Sequence, residues 1–203
     1  MLKQLFNSFS IGGFRQKLAS IDAVPQFAFL GVVSGLITGL VILAFRTVIE
    51  LPLDLILANG FEDFESLSRE NRFLLPVVGA ILLAIVLSFV SSAHRGMGVT
   101  HVLARLARYQ GHLPFYNLLT QFFGGALALI SGQSLGREGP AIHLGAAGSS
   151  LFGQALKLPN NSIRVLVGCG AAAAISASFN TPIAGVIFSM EVIILEYTIA
   201  GFI

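Results

Sequence analysis

Long, mostly apolar runs alternate with short polar breaks along this chain. The first run extends from Val24 to Ile49, and the second, from Phe73 to Ser92, carries no charged residue. About 20 helical residues span the ~30 Å hydrocarbon core of a bilayer. Both runs therefore predict transmembrane helices. The first should be tilted because it is longer than the hydrocarbon core requires. Gly31, Gly35 and Gly39 recur at every fourth position and predict a groove for another helix.

The charges between these runs predict an orientation in the membrane. Residues 50–72 hold six acidic and two basic residues, while residues 93–117 hold three arginines and no acid. Lys and Arg near the ends of spans favour the cytoplasm. We therefore expect residues 50–72 outside and residues 93–117 inside. Residues 1–23 are expected to form an amphipathic segment on the cytoplasmic face of the plasma (inner) membrane.

The remaining apolar segments are mostly too short to cross a bilayer vertically, and glycine or proline separates them. They are Leu118–Ile130, Ala141–Leu156, Ser162–Phe179 and Ile183–Tyr197. Short, interrupted apolar segments are typical of half-helices that meet inside a membrane. Backbone is exposed at that depth only beside a protein-buried or watery site. The breaks are therefore the places where function is expected.

Composition excludes a water-soluble globule. Of the 203 residues, 55% are hydrophobic and only 11% are charged, with a mean hydropathy of +0.83, whereas soluble domains carry roughly 25% charged residues. The excess of apolar side chains needs a lipid bilayer as its solvent. The net charge of +2 and the absence of a basic patch argue against nucleic-acid binding. A single cysteine, Cys169, excludes a disulfide framework and a CxxC metal site, and no cofactor or metal is expected.

Two adjacent charges stand in the break at Gly136-Arg137-Glu138-Gly139-Pro140. They are the only charged residues between positions 114 and 156, and each costs at least ~2.5–3.5 kcal/mol at mid-bilayer. Pro140 suits the first turn of a helix, and the two glycines allow the preceding chain to turn tightly. The following helix would direct its unpaired amides and the positive end of its dipole at this loop.

Those amides predict an anion site, and the carboxylate of Glu138 would compete with the anion for it. Protonation would release the carboxylate, so Glu138 is predicted to be a gate and a candidate proton carrier. Ala141, Gly145, Ser149 and Gly153 form a small-residue stripe for close helix packing. One alternative stays open at this stage: Arg137 and Glu138 could form an ion pair in an interfacial loop, with the glycines serving packing alone.

These motifs resemble the CLC family of chloride channels and chloride–proton exchangers. The Gly136–Pro140 run is similar to the family's second signature, Gly96-Met97-Gly98-Val99-Thr100 to its first, and 180–191 to a later stretch. The resemblance implies an all-α polytopic membrane fold with tilted and broken helices, built from two inverted repeats, in a homodimer with one anion pathway per subunit. Residues 24–203 would be a partial transmembrane domain, the first repeat without the second, and such a fragment is not expected to conduct.

The resemblance also implies the anion-binding residues and two departures. The predicted anion-binding set is Gly96, Met97, Gly98, Val99, Gly136, Arg137, Glu138, Gly139 and Pro140. Met97 stands where the family usually presents a serine hydroxyl, and a thioether donates no hydrogen bond. The fluoride-exporting branch of the family resembles this chain in having methionine there. The backbone amides at the start of a helix over 98–109 could still serve the anion.

The second departure concerns the proton path. Val192 occupies the place where exchangers of the family carry an internal glutamate, so Glu191 or Glu196 would have to substitute as proton acceptor. Ordinary salt bridges at the cytoplasmic rim explain both glutamates as well. His143, one turn after Pro140, is predicted to have a hydrogen-bonded packing role. Chloride or another small anion, with or without protons, is the expected substrate.

Two rival classes remain. A membrane-embedded enzyme would need a nucleophile or metal cluster, and no HExxH, GxSxG or paired-carboxylate motif occurs in the chain. We therefore expect no enzymatic activity. A non-transporting helical membrane scaffold is suggested by the small-residue stripes, but it leaves the charges at 137 and 138 unexplained.

Overall fold

The chain folds as a bundle of α-helices. The computed structural model describes residues 24–57 and 63–194, and within these residues the chain forms helices and no strand. The predicted N-terminal segment 1–23 and Glu196 lie outside the described residues. The described residues contain seven α-helices: α1 (Val24–Ile56), α2 (Arg69–Phe89), α3 (Gly98–Tyr109), α4 (Phe115–Ile130), α5 (Glu138–Ala155), α6 (Asn160–Phe179) and α7 (Pro182–Phe188). Short 3-10 turns cover Phe64–Ser66 and Ser92–His94, and a π-helical turn, Ser189–Ile194, continues α7.

Within the described residues, the predicted apolar segments form helices, and the all-α fold class is confirmed; the end of the predicted segment 183–197 lies outside them. Several helix boundaries differ from the sequence-based expectation, among them those of α1 and α6. Helix α1 continues through Pro52 to Ile56, because Leu53 and Leu57 are buried in a core cluster with Ile49. Helix α6 has 20 residues and is, with α1 and α2, long and apolar enough to cross a membrane. It is therefore an exception among the segments that were expected to be mostly too short for a vertical crossing.

Local chemistry explains where several helices begin and end. The hydroxyl of Ser68 accepts a hydrogen bond from the amide of Asn71 and caps the N-terminus of α2. Helix α3 ends where Gln110 and Gly111 adopt positive φ angles of 53° and 78°, which break the helical path. Helix α6 ends in the same way at Asn180, with φ of 54°.

Helix α5 lies at the centre of the bundle, in contact with α1, α3, α4 and α6. It crosses α6 so closely that a β-carbon added at Gly145 would overlap the carbonyl oxygen of Gly170. One turn later on the same face, the hydroxyl of Ser149 lies 3.1 Å from Ser34 Oγ and 3.2 Å from Thr38 Oγ1 of α1. The predicted small-residue stripe of α5 therefore does pack tightly against its neighbours.

The glycine stripe of α1 does not make the close approach that its spacing predicts. In the described chain, a β-carbon added at Gly35 or Gly39 would meet no atom within 4 Å. The neighbouring row, with Ser34 and Thr38, faces α5 instead. Hydroxyl pairs at these positions bond across the helix interface, which the glycines cannot do.

Large apolar side chains cover the outside of α1 and α2. Leu36 and Leu40 of α1 are 66% and 68% exposed, and Phe73 of α2 is 72% exposed. Gly79 alone is buried among the 21 residues of α2. Such faces are stable against another apolar phase rather than against water.

Candidate functional site

The N-termini of two helices face one cavity of about 410 Å³. Helix α3 begins there at Gly98, and helix α5 begins there at Glu138. The lining residues are Leu83, Met97, Gly98, Gln121, Gly124, Gly125, Ala128, Leu135, Gly136, Glu138, Gly139 and Pro140. The structure thus brings together parts of the first signature loop, Gly96–Thr100, and of the second signature loop, Gly136–Pro140. These two loops lie about 40 positions apart in the sequence. Two helix starts on one cavity direct partial positive charge at its interior.

The start of α3 depends on a glycine. Met97 precedes the helix in an extended conformation, and Gly98, its first residue, has a φ of +72°. This backbone region is accessible to glycine at little cost and to other residues only with strain. Met97 lies against α4, where a β-carbon added at Gly124 would be 3.7 Å from its sulfur. Its thioether therefore forms part of the cavity wall.

The start of α5 places Glu138 at the mouth of the cavity. Helical hydrogen bonding begins with the Ala141 amide and the Arg137 carbonyl, 3.0 Å apart, and Pro140 lies in the first turn as predicted. The Glu138 carboxylate folds back over Gly136 so closely that a β-carbon at that glycine would overlap its Oε2. The side chain is exposed. The glycine thus leaves room for the carboxylate beside the N-terminus of its own helix.

Arg137 lines a different cavity from its neighbour. This second cavity, of about 200 Å³, is also lined by Arg46 and Glu50 of α1, which form an ion pair with an N–O distance of 3.1 Å. Two arginines, Arg46 and Arg137, therefore border it. Arg137 and Glu138, adjacent in sequence, face separate spaces on either side of the α5 N-terminus.

Two polar side chains of α4 hold the first signature loop. The amide of Asn117 donates to the carbonyl of Gly96 at 3.0 Å, and the Gly98 amide donates to Gln121 Oε1 at 2.7 Å. Asn117 and Gln121 are one helical turn apart, so they share a face of α4. Both are buried. Gln121 was not among the residues predicted from sequence, although a lone glutamine in the apolar run 118–130 was a usable signal.

A chain of hydrogen bonds extends from Gln121 to two histidines. His143 Nδ1 lies 2.9 Å from Gln121 Oε1, and His143 Nε2 lies 3.2 Å from His101 Nδ1. His143 is completely buried. The hydrogen-bonded packing role that the sequence analysis predicted for His143 agrees with this geometry. Among the described residues, no group of three or more His, Cys, Asp or Glu side chains is arranged to hold a metal ion.

Other predicted site residues lie away from the cavity lining. Gly96 packs against the ring of His101, and Val99 packs against the hydrophobic core. Glu191 is exposed on the π-helical turn after α7, whereas Val192 is partly buried against the same core. The structure therefore does not bring Glu191 to the cavity that Glu138 lines.

Sequence comparisons place the chain in a family. Residues 78–203, more than half of the chain, match the family described as voltage gated chloride channel. The chain therefore belongs to the voltage-gated chloride channel family. Its long apolar helices and this membership make it part of an integral membrane protein. No solved structure matches the chain.

This chain of the voltage-gated chloride channel family is similar to several curated proteins over part of their length. The H(+)/Cl(-) exchange transporter ClcA of Vibrio vulnificus is 31% identical over 190 residues, which cover 84% of this chain and 39% of the relative. The protein of the same name from Vibrio cholerae is 30% identical over 183 residues, 85% of this chain and 38% of the relative. Chloride channel protein CLC-c of Arabidopsis thaliana is 32% identical over 119 residues, 51% of this chain and 15% of the relative. The chain spans less than half the length of each.

Proposed function

We propose that the protein moves chloride or another small anion across a membrane and that Glu138 is its gate. The observation that carries this proposal is the cavity on which the N-termini of α3 and α5 converge, with Glu138 at its mouth. Helix N-termini stabilise an anion without a full positive charge. The names of the relatives, which are chloride channels and H(+)/Cl(-) exchange transporters, support the same class of substrate.

The gating mechanism follows from competition for these amides. The ionised Glu138 carboxylate is itself an anion, and it lies beside Gly136 at the start of α5. A mobile anion and the carboxylate would repel each other in a low-dielectric cavity. Protonation removes the charge, weakens the hold of the helix N-terminus on the side chain, and opens the cavity to the anion.

The test is Glu138→Gln in the intact protein, with any flanking sequence that its gene encodes. Glutamine keeps the size of the side chain but carries no ionisable group, so it mimics the protonated gate. We expect anion efflux from liposomes to lose its dependence on pH, at a rate equal to or above that of the unaltered protein at low pH. Arg137, which lines the other cavity, offers the control: Arg137→Gln should retain the pH response. An unchanged pH response in Glu138→Gln would refute the gate.

Whether the protein is a channel or an exchanger depends on the proton path. Val192 carries no proton, and Glu191 lies on the exposed face of the π-helical turn rather than at the cavity. These positions favour passive transport or a different form of coupling. Proton movement recorded together with anion efflux from the same liposomes distinguishes the two: a fixed ratio of protons to anions would identify an exchanger.

Fluoride export is a second candidate, because Met97 lines the cavity where a serine hydroxyl is usual in the family. Efflux measured in parallel with chloride, fluoride and nitrate separates these substrates. We further propose a homodimer in the lipid bilayer of the inner membrane, with a cytoplasmic N-terminus. Residues 24–203 would form the first of two inverted repeats.

A further inference from the structure

Gln121 occupies an unusual place for a glutamine. It lies in the middle of an apolar helix, is 4% exposed, and lines the cavity on which α3 and α5 converge. A buried carboxamide has two donor and two acceptor sites to satisfy. The hydrogen bonds that its partners make to these sites determine whether the oxygen or the NH₂ group of the carboxamide faces the cavity.

The partners of Gln121 fix the orientation of its carboxamide. The Gly98 backbone amide, 2.7 Å from Oε1, is a donor only, so the atom that it meets must be the oxygen. His143 Nδ1 reaches the same oxygen at 2.9 Å and must therefore carry a proton. With Nδ1 protonated, the neutral ring accepts at Nε2, which takes a hydrogen bond from His101 Nδ1 at 3.2 Å. The hydrogen-bond network thus assigns both histidine tautomers and the amide orientation.

The NH₂ group of Gln121 therefore points away from these partners, towards the second helix start. A β-carbon added at Gly125 would be 3.1 Å from Gln121 Nε2 and 3.3 Å from Pro140 Cβ. Gly125 and Pro140 both line the cavity. The NH₂ group consequently lies in the cavity wall between the N-termini of α3 and α5.

We propose that the NH₂ group of Gln121 donates a hydrogen bond to the anion in this cavity and that it supplies the donor which Met97 lacks. The inference rests on the proposed transport of anions and names a further ligand of the same site. A thioether offers no donor, and an anion removed from water needs compensating hydrogen bonds. His143 and His101 do not touch the anion. They are positioning residues, which hold Oε1 on the Gly98 amide and so keep the NH₂ group turned to the cavity.

The first test measures halide binding by calorimetry on the intact, detergent-purified protein, together with efflux from liposomes. Gln121→Leu removes the donor, and hydrogen bonds to charged groups are strong enough that we expect chloride binding to weaken about tenfold or more. The control is Gln154→Leu, which removes another partly buried glutamine that bonds Leu113 and Ser150 and lies outside the cavity lining. Its chloride binding should stay within about twofold of the unaltered protein's.

A pair of His143 variants tests the positioning role. The side-chain amide of asparagine reaches about as far as the histidine Nδ1, whereas that of glutamine reaches about as far as Nε2. His143→Asn should therefore keep a donor for Gln121 Oε1 and retain chloride binding. His143→Gln should lose that donor and weaken binding. Equal binding by the two variants would show that His143 does not orient Gln121.

A measurement on the unaltered protein keeps the proposal testable if the variants do not fold. Bromide soaked into crystals should give anomalous density within hydrogen-bonding distance of Gln121 Nε2. Bromide bound elsewhere in the cavity, or chloride binding by folded Gln121→Leu within about twofold of the unaltered protein, would overturn the inference. Failure of the unaltered protein to bind or pass any halide would instead refute the proposed function.

Discussion

Glu138 and Gln121 present opposite hydrogen-bonding chemistry to one cavity. An ionised carboxylate only accepts hydrogen bonds, whereas the NH₂ group of a carboxamide only donates them. Under our proposal, the carboxylate and the mobile anion require the same donors, so Glu138 can fill the cavity only when the anion has left. The amide of Gln121 serves whichever of the two is present. A neutral donor suits this use because it does not hold the anion so strongly that release becomes slow.

Met97→Ser tests the contribution of the cavity wall at residue 97. A serine hydroxyl would add a donor beside the N-terminus of α3, where the thioether now lies against Gly124. We expect the ratio of chloride to fluoride efflux from liposomes to rise, by up to about tenfold if the new hydrogen bond is well formed. Met97→Leu is the matched control because it changes neither the polarity nor the approximate size of the side chain, and its ratio should stay unchanged. The same ion preference in Met97→Ser would defeat the proposal for this residue.

At the scale of the helices, the centre of the fold depends on two glycines that oppose each other. A β-carbon at Gly145 of α5 would overlap the carbonyl oxygen of Gly170 and lie 2.7 Å from Ala174 Cβ and 2.9 Å from Thr38 Cγ2. Added at Gly170, it would overlap the carbonyl oxygen of Gly145. Because backbone atoms cannot move aside as a flexible side chain does, the two helices would have to separate.

Gly145→Ala and Gly148→Ala form a matched pair on α5. Both glycines are buried, but a β-carbon at Gly148 would meet no atom within 4 Å. We expect Gly145→Ala to destabilise the protein by about 1–3 kcal/mol through overpacking. Gly148→Ala should be neutral or stabilise it by up to about 1 kcal/mol, because alanine is the better helix former. Thermal unfolding midpoints in the same detergent measure both, and a Gly145→Ala variant as stable as Gly148→Ala would contradict the close crossing of α5 and α6.

The helices were predictable from sequence because the bilayer thickness sets the length of an apolar run, and glycine or proline marks where one run ends. The start of α5 within Gly136–Pro140 was predictable for the same reason. The role of Gln121 was not, because it depends on α4 placing one side chain against Gly98 and His143, which are 23 and 22 positions away. The packing of α1 through Ser34 rather than Gly35 likewise depends on which face meets α5, and periodicity alone favoured the glycines.

At the scale of the whole molecule, the outer helices and the central helix have contrasting surroundings. Helix α5 buries 11 of its 18 residues, whereas α2 buries one of 21. The exposed side chains of α1 and α2 are large and apolar. A helix that is apolar on its exposed side is stable in lipid or against further protein. Helix α2 thus lines the cavity through Leu83 and has an outer face that suits a membrane.

Cysteine accessibility tests the orientation of the chain in that membrane. Cys169 is the only cysteine, so Cys169→Ser provides a background into which single cysteines are introduced. Ser66 lies in the acidic segment before α2, and Ala107 lies on α3 beside Arg108; both are exposed. Because arginine-rich segments favour the cytoplasm, a membrane-impermeant thiol reagent added to intact cells should label Ser66→Cys and not Ala107→Cys. Inside-out vesicles should reverse the pattern. Labelling of Ala107→Cys from outside would show that the chain has the opposite orientation. An anion would then approach the two helix N-termini at the cavity from the opposite side of the membrane.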